Sequence, residues 1–227
     1  MKTFDFPQYS PEWWLARKGV PTASGFKSIV TPKKFEPSKS MDAYACQLVA
    51  EKFDKFYSIE PEFETQAMRE GSALEPDARA YYEFQRGHDV TEVGFCLTDD
   101  ERFGCSPDGL IGEVGCLELK CPQPSTHVRY LHDGGLPDDY APQCHGHLIV
   151  TGREWCDFMS YAPGLPPHLV RVHPDDKTEL LRSSLEKFWN RYQEILASVE
   201  ARHREYIDSE IDRRQDSNPK QMQSFVA

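Results

Sequence analysis

The spacing of apolar residues changes at Gly87, and that change constrains the fold more than any other feature of the chain. Before it, Met41, Tyr44, Ala45, Leu48, Val49, Phe53 and Phe56 recur at three- and four-residue steps over residues 40–56, as on one buried helical face. Ala67, Met68, Leu74, Ala78, Tyr81 and Tyr82 repeat the pattern on either side of Gly71. After Gly87, Val90, Val93, Phe95 and Leu97 are spaced for a strand, and Thr98-Asp99-Asp100-Glu101 predicts a turn. A second strand is expected from Phe103 towards Asp108. Turn signals at Asp108-Gly109 and from Gly112 to Gly115 then precede the short apolar run Cys116-Leu117-Glu118-Leu119-Lys120, together an antiparallel meander.

The flanking segments add further elements. Ser10-Pro11-Glu12 reads as an N-cap, a first-turn proline and the start of a short helix that stops near Gly19. Residues 140–150 are expected to be helical, and residues 155–161 and 169–172 to be strands joined through Pro163-Gly164-Leu165-Pro166-Pro167. A long helix closes the chain on Leu180, Leu181, Leu185, Phe188, Trp189, Tyr192, Leu196 and Val199, with residues 212–227 a frayed polar tail.

With 227 residues, 39% of them hydrophobic, residues 1–227 are expected to form one domain around one core. Apolar runs are short, and residues 1–14 lack a basic region followed by an apolar stretch, so a soluble, cytoplasmic protein with no membrane partner is expected. The seven cysteines are odd in number and are read as reduced thiols. Zinc on Cys116, Cys121, Cys144, His145 and His147 is set aside because no C-x-x-C pair exists, and an iron–sulfur cluster on Cys105, Cys116 and Cys121 lacks its usual spacing. A net charge of −11 excludes a uniformly basic nucleic-acid surface, so any DNA site must be local.

In a strand alternate side chains share a face, so Glu118 and Lys120 point together while Leu117 and Leu119 point to the opposite, buried side. E-x-K alone is more often a solvent-facing ion pair. Here Ser106-Pro107-Asp108-Gly109 precedes it at hairpin distance and would bring the Asp108 carboxylate beside Glu118. Two carboxylates with the Leu119 carbonyl suit Mg2+, which takes a few carboxylates plus waters and phosphate oxygens. Two such ions stabilise both ends of an in-line displacement. Lys120, beside them, is expected to have a lowered pKa and to orient or deprotonate the attacking water.

These residues belong to a longer ordered pattern. It comprises Arg17 with Thr22-Ala23-Ser24, the stretch from Gly71 to Phe84 with Glu75-Pro76-Asp77-Ala78-Arg79, then Cys105-Ser106-Pro107-Asp108-Gly109-Leu110, Leu117-Glu118-Leu119-Lys120-Cys121-Pro122, and Gln143. The pattern resembles the lambda exonuclease type of phage recombinase nuclease, the YqaJ-like viral recombinase family of the PD-(D/E)xK superfamily. That resemblance implies an α/β restriction-endonuclease-like fold, a central mixed sheet flanked by helices. It implies digestion of linear double-stranded DNA from a 5′ end, releasing mononucleotides and leaving a 3′ overhang. Mg2+, two per site and replaceable by Mn2+, would sit on Asp108, Glu118 and the Leu119 carbonyl. Lys120 would activate water, Glu75 would be a further acid, and Gln143 would line the site. Arg17, Ser24 and Ser106 would hold the 5′-phosphate.

One departure concerns an arginine that the family often carries after the lysine motif, where Thr126 stands here, with His127 and Arg129 as nearby substitutes. The resemblance also implies a ring-shaped homotrimer around DNA, a single-strand annealing protein as partner, and a phage or prophage origin in a bacterial cytoplasm. Two other readings stay open: a site- or structure-specific endonuclease, and a non-catalytic DNA-end-binding scaffold. Simpler roles compete for single residues, with Trp13 a core anchor rather than a base-stacking surface, and Glu75 a helical ion pair with Arg79.

Overall fold

The computed structural model describes residues 1–54 and 66–217, so Phe56, residues 218–227 of the expected tail and the side chains of Ala67 and Met68 lie outside the described residues. Two sheets carry the strands. In the first, β1 (Lys2–Phe4) pairs antiparallel with β2 (Phe95–Leu97), which pairs antiparallel with β3 (Gly104–Cys105). In the second, β4 (Gly109–Ile111) and β5 (Gly115–Lys120) form a hairpin, β5 runs parallel to β6 (Trp155–Ser160), and β7 (His168–Val172) returns antiparallel to β6.

The expected meander is therefore two hairpins in two sheets, and the strands around Val90 and Phe103 are shorter than expected. Pro107, without an N–H, cannot continue a ladder, and residues 106–108 carry the chain from one sheet to the other. Gln8 pins that crossing by donating to the carbonyls of Val93 (3.0 Å) and Pro107 (3.1 Å).

Parallel strands need a crossover, and here it contains α4 (Pro124–Asp133) and α5 (Ala141–Thr151). Helix α5 matches the expected 140–150 helix. Helix α4 was not expected, because Pro122-Gln123-Pro124 reads as loop; Pro124 instead occupies the first helical turn, where a missing N–H costs no helical bond.

Both faces of β5 are covered. Leu117 and Leu119 pack with Ala78 and Tyr82 of α3 (Gln66–Arg86), while Cys116 joins the main core with Cys144 and Leu148 of α5. Glu118 is consequently 1% exposed, not part of a solvent-facing pair. On α6 (Asp176–Ser217), Leu181, Leu185, Phe188, Tyr192 and Leu196 are buried and form the main core with Ala45, Leu48 and Val49 of α2 (Met41–Phe53). Leu180 and Val199, placed on that face from sequence, are 49% and 36% exposed, and the helix continues past Ile211 to Ser217.

Helix α1 (Pro11–Arg17) has the expected cap, with the Ser10 hydroxyl accepting from the Trp13 N–H, and Gly19 follows with φ 69°. All seven cysteines are free thiols. Among the described residues no helix is long and apolar enough to cross a membrane.

Candidate active site

The crossing that separates the two sheets also delivers Asp108 to β5. Its N–H donates to the Leu117 carbonyl (2.9 Å), and its Oδ2 accepts from the Leu119 N–H (2.5 Å), so the carboxylate is fixed to the strand's backbone. Glu118 accepts from Lys120 Nζ at Oε1 and from His147 Nε2 at Oε2 (2.7 Å). Lys120 also donates to the Leu119 carbonyl (3.0 Å). Asp108, Glu118, Lys120 and the Leu119 carbonyl are thus brought together as the sequence pattern expects.

Burial and a shortage of positive charge set the protonation of this cluster. Burial first, and then the neighbouring Glu118 charge, push Asp108 up to about 8. Burial alone would raise Glu118 as well, but the Lys120 charge and the His147 hydrogen bond outweigh it and hold Glu118 below its ordinary value. Asp108 therefore takes up a proton more readily than Glu118. Burial opposes the Lys120 charge, yet Glu118 and Asp108 together raise its pKa. The lowering expected beside bound cations belongs to a metal-loaded site; the side chains facing Lys120 here are carboxylates.

Glu75, on α3, lines a cavity of about 400 Å³ with Asp108, Arg79 and residues 5–9. Burial raises its pKa, partly offset by Lys120. Arg79 forms its ion pair with Glu92 (2.8 Å) and donates to the Asp108 carbonyl (3.3 Å).

Arg17, Ser24 and Ser106 also come together. The Arg17 guanidinium donates to Ser106 Oγ (3.2 Å), Thr22 Oγ1 (3.2 Å) and Ser24 Oγ (3.3 Å), and lies 4.1 Å over the Trp13 ring. Trp13 is the expected core anchor, its Nε1 donating to the Gly94 carbonyl (3.0 Å) and Ser106 Oγ (2.9 Å). Gln143 lines a second recess with Ser24, Lys27, Asp139 and Tyr140. Lys120 Nζ lies 5.5 Å from the Tyr140 ring, so the recess adjoins the cluster.

His127 does not replace the missing arginine. It is buried on α4, bonded to Ser160 Oγ (2.7 Å) and the Pro166 carbonyl (2.9 Å). Arg129 is exposed, its guanidinium 5.9 Å from the Tyr130 ring. His147 and Thr22 were given no role from sequence. The step of four from Gln143 to His147 on one helix was the signal available for the first, and Thr22 sits inside the motif that supplies Ser24.

The oxygen donors of Asp108, Glu118 and Leu119 fit a hard divalent cation, and surplus buried negative charge is what such an ion relieves. Among the described residues no three His, Cys, Asp or Glu side chains gather as a ligand cluster, so water and phosphate oxygens would complete the shell.

Fold and site define a PD-(D/E)xK nuclease. The model of the YqaJ-like viral recombinase domain matches residues 12–154, and the chain belongs to that family. The alkaline exonuclease LHK-Exo from Laribacter hongkongensis is 30% identical, with a TM-score of 0.75 over 87% of this chain and 100% of its own. Its complex with dAMP matches equally. A phage-related exonuclease from Haemophilus somnus 129PT shares the fold at 11% identity, with a TM-score of 0.59 over 79% of this chain and 96% of its own. No curated protein matches. Homology of this extent supports a DNA-hydrolysing enzyme.

Proposed function

We propose that the protein is a magnesium-dependent exonuclease that degrades one strand of linear double-stranded DNA from a 5′-phosphorylated end, leaving a 3′ overhang for recombination. One observation carries the reading: Ser106, which accepts from Arg17 in the hydroxyl-lined cradle, lies on the short crossing that ends at Asp108 (Arg17 to Ser106, 3.2 Å). A group that recognises a phosphate and a group that hydrolyses one are thereby coupled through a few backbone bonds.

In this reading the Arg17 fork and the hydroxyls of Ser24 and Ser106 bind the terminal phosphate. Asp108, Glu118 and the Leu119 carbonyl hold Mg2+, two ions per site with Mn2+ as a substitute, which would polarise the scissile phosphate and lower the pKa of bound water. Lys120, kept protonated by Glu118, orients the attacking water and meets charge developing on the phosphate. Glu75 lies across the cavity as a further acceptor for that water, and Gln143 contacts the strand from the adjoining recess. The dAMP complex of LHK-Exo agrees with mononucleotide release.

The protein would act as a ring-shaped homotrimer beside a single-strand annealing protein, in the bacterial cytoplasm and under phage or prophage control. Its charge of −11 would leave basic residues to line the channel.

The test uses linear duplex phosphorylated at only one 5′ end, a closed circle, and Lys120→Ala. Loss of the phosphorylated strand alone, dependent on magnesium and absent in Lys120→Ala, is expected. Cutting of the circle would replace this reading with an endonuclease, and DNA-end binding without any cutting would replace it with a scaffold.

A further inference from the structure

Among the described residues, three other than glycine adopt a left-handed backbone: Tyr9 (φ 66°), Phe35 (φ 57°) and Glu101 (φ 58°). Such a conformation is unfavourable for a side chain with a Cβ, and worst for a bulky one. Two of the three have an evident compensation. Phe35 is fully buried against the His145 ring, and Glu101 sits in the β2–β3 hairpin turn, paired with Lys2. Tyr9 is different: the residue is 58% exposed, with its ring against Trp13 and its hydroxyl bonded to Ser72 at the cavity.

The turn that holds Tyr9 is firmly built. The Ser10 N–H donates to the Pro7 carbonyl (3.2 Å), and Gln8 is tied to Val93 and Pro107. Tyr9 occupies the third position of that turn, where glycine is the unstrained choice. Strain held in place by its surroundings at an exposed residue points to a function for the side chain.

The surroundings indicate which function. The Tyr9 ring lies 5.1 Å from the Trp13 ring, and Trp13 carries Arg17 at 4.1 Å. Tyr9 also lines the cavity shared by Glu75 and Asp108. An exposed aromatic ring thus stands between the cradle for a 5′-phosphate and the acids that face the next phosphodiester. The group between those two phosphates in a DNA strand is the terminal nucleoside.

We propose that Tyr9 is a base-stacking residue for the terminal nucleotide of the strand being degraded, an inference that rests on the exonuclease reading above. Stacking on a ring is tolerant of sequence, since every base has a π-face, and so suits an enzyme that must accept each new end.

The experiment compares the full-length wild type, Tyr9→Phe and Tyr9→Gly on 5′-phosphorylated duplexes with 2-aminopurine at the first or the third nucleotide, with calcium replacing magnesium during binding. Glycine relieves this φ while the contacts with Trp13 and Ser72 are lost, so Tyr9→Gly should melt within a few degrees of wild type. Fluorescence at the first nucleotide should be quenched by wild type and Tyr9→Phe but not by Tyr9→Gly. The third position should not distinguish them. With magnesium, Tyr9→Gly should show a rise in KM on the order of tenfold. Unchanged quenching in Tyr9→Gly, or an equal loss at both positions, would overturn the stacking role while leaving the exonuclease intact. Failure of the wild type to bind or digest phosphorylated ends would remove the exonuclease reading and this inference with it.

Discussion

Strands β5 and β6 lie side by side, each burying a carboxylate, and the two are treated in opposite ways. Asp157 of β6 points to the α3 side, where Tyr82 donates its hydroxyl (2.7 Å) and Arg171 forms a two-pronged pair (2.7 and 2.8 Å). Arg171 is itself stacked 3.6 Å over the Trp155 ring. Glu118 of β5 points to the α5 side, where one ammonium, that of Lys120, serves both Glu118 and Asp108, with Glu75 close enough to register their charge. The first centre is balanced and the second has surplus negative charge. Burial of an acid therefore does not by itself single out the candidate site; the mismatch between buried acids and their cationic partners does.

Mutations can test that contrast. The largest effect is expected from Lys120→Met, which should lower turnover by about 10²–10⁴-fold in a steady-state nuclease assay while the protein still folds. Breaking the balanced centre should do the reverse. Asp157→Ala leaves Arg171 and Tyr82 facing a buried void and should cost about 3–5 kcal/mol in urea unfolding, with turnover per folded molecule retained. If Asp157→Ala abolished turnover in folded protein, the distinction between the two centres would fail. His147→Gln removes a donor from Glu118 and should lower metal affinity or activity about 10–100-fold, measured as the magnesium concentration for half-maximal rate.

The smallest effect concerns acid stability. His145, buried and bonded to Thr178 Oγ1 (2.8 Å), has its pKa lowered, chiefly by burial and against the opposing charge of Asp175. Its contribution is fully present above the unfolded histidine's pKa of about 6.5 and is lost as pH falls from there through the lower folded value. Between those limits the unfolded chain takes up the proton first. His145→Gln should flatten that part of a stability-versus-pH curve; an unchanged slope would place the loss elsewhere.

How much of this was legible follows from what sequence periodicity measures. Helices α2, α3 and α6 were readable because each has an apolar face of helical spacing, whereas α5, expected as a helix, is buried almost all round. Glu118 and Lys120 were readable as a pair on one face, but the burial of Glu118 was not. Alternation reports inside and outside only when one face of a sheet meets water, and β5 is covered on both by segments distant in sequence. Asp157 was invisible for the same reason, since its partners Tyr82 and Arg171 reach it from α3 and β7. The meander failed because alternation is indifferent to which sheet a strand joins. The cradle of Arg17, Ser24 and Ser106 was legible through motif order and not through spacing, as its members come from three separated segments.

Gly71 bears on all of this from a position outside the cavity. A Cβ there would lie 3.1 Å from the carbonyl oxygen of Cys121, so α3 rests on the end of β5 with no side chain between them. This contact is a bearing surface for the helix, five residues before Pro76 interrupts its hydrogen-bond ladder. A methyl group there would have to be taken up by a shift of a few tenths of an ångström, in the turn of helix that leads to Ser72 and Glu75. In the proposed reading, the clearance between Glu75 and Asp108 is thus gauged partly at a residue that does not line their cavity. A Gly71→Ala protein would keep every proposed site residue, with only the spacing of Glu75 from Asp108 altered.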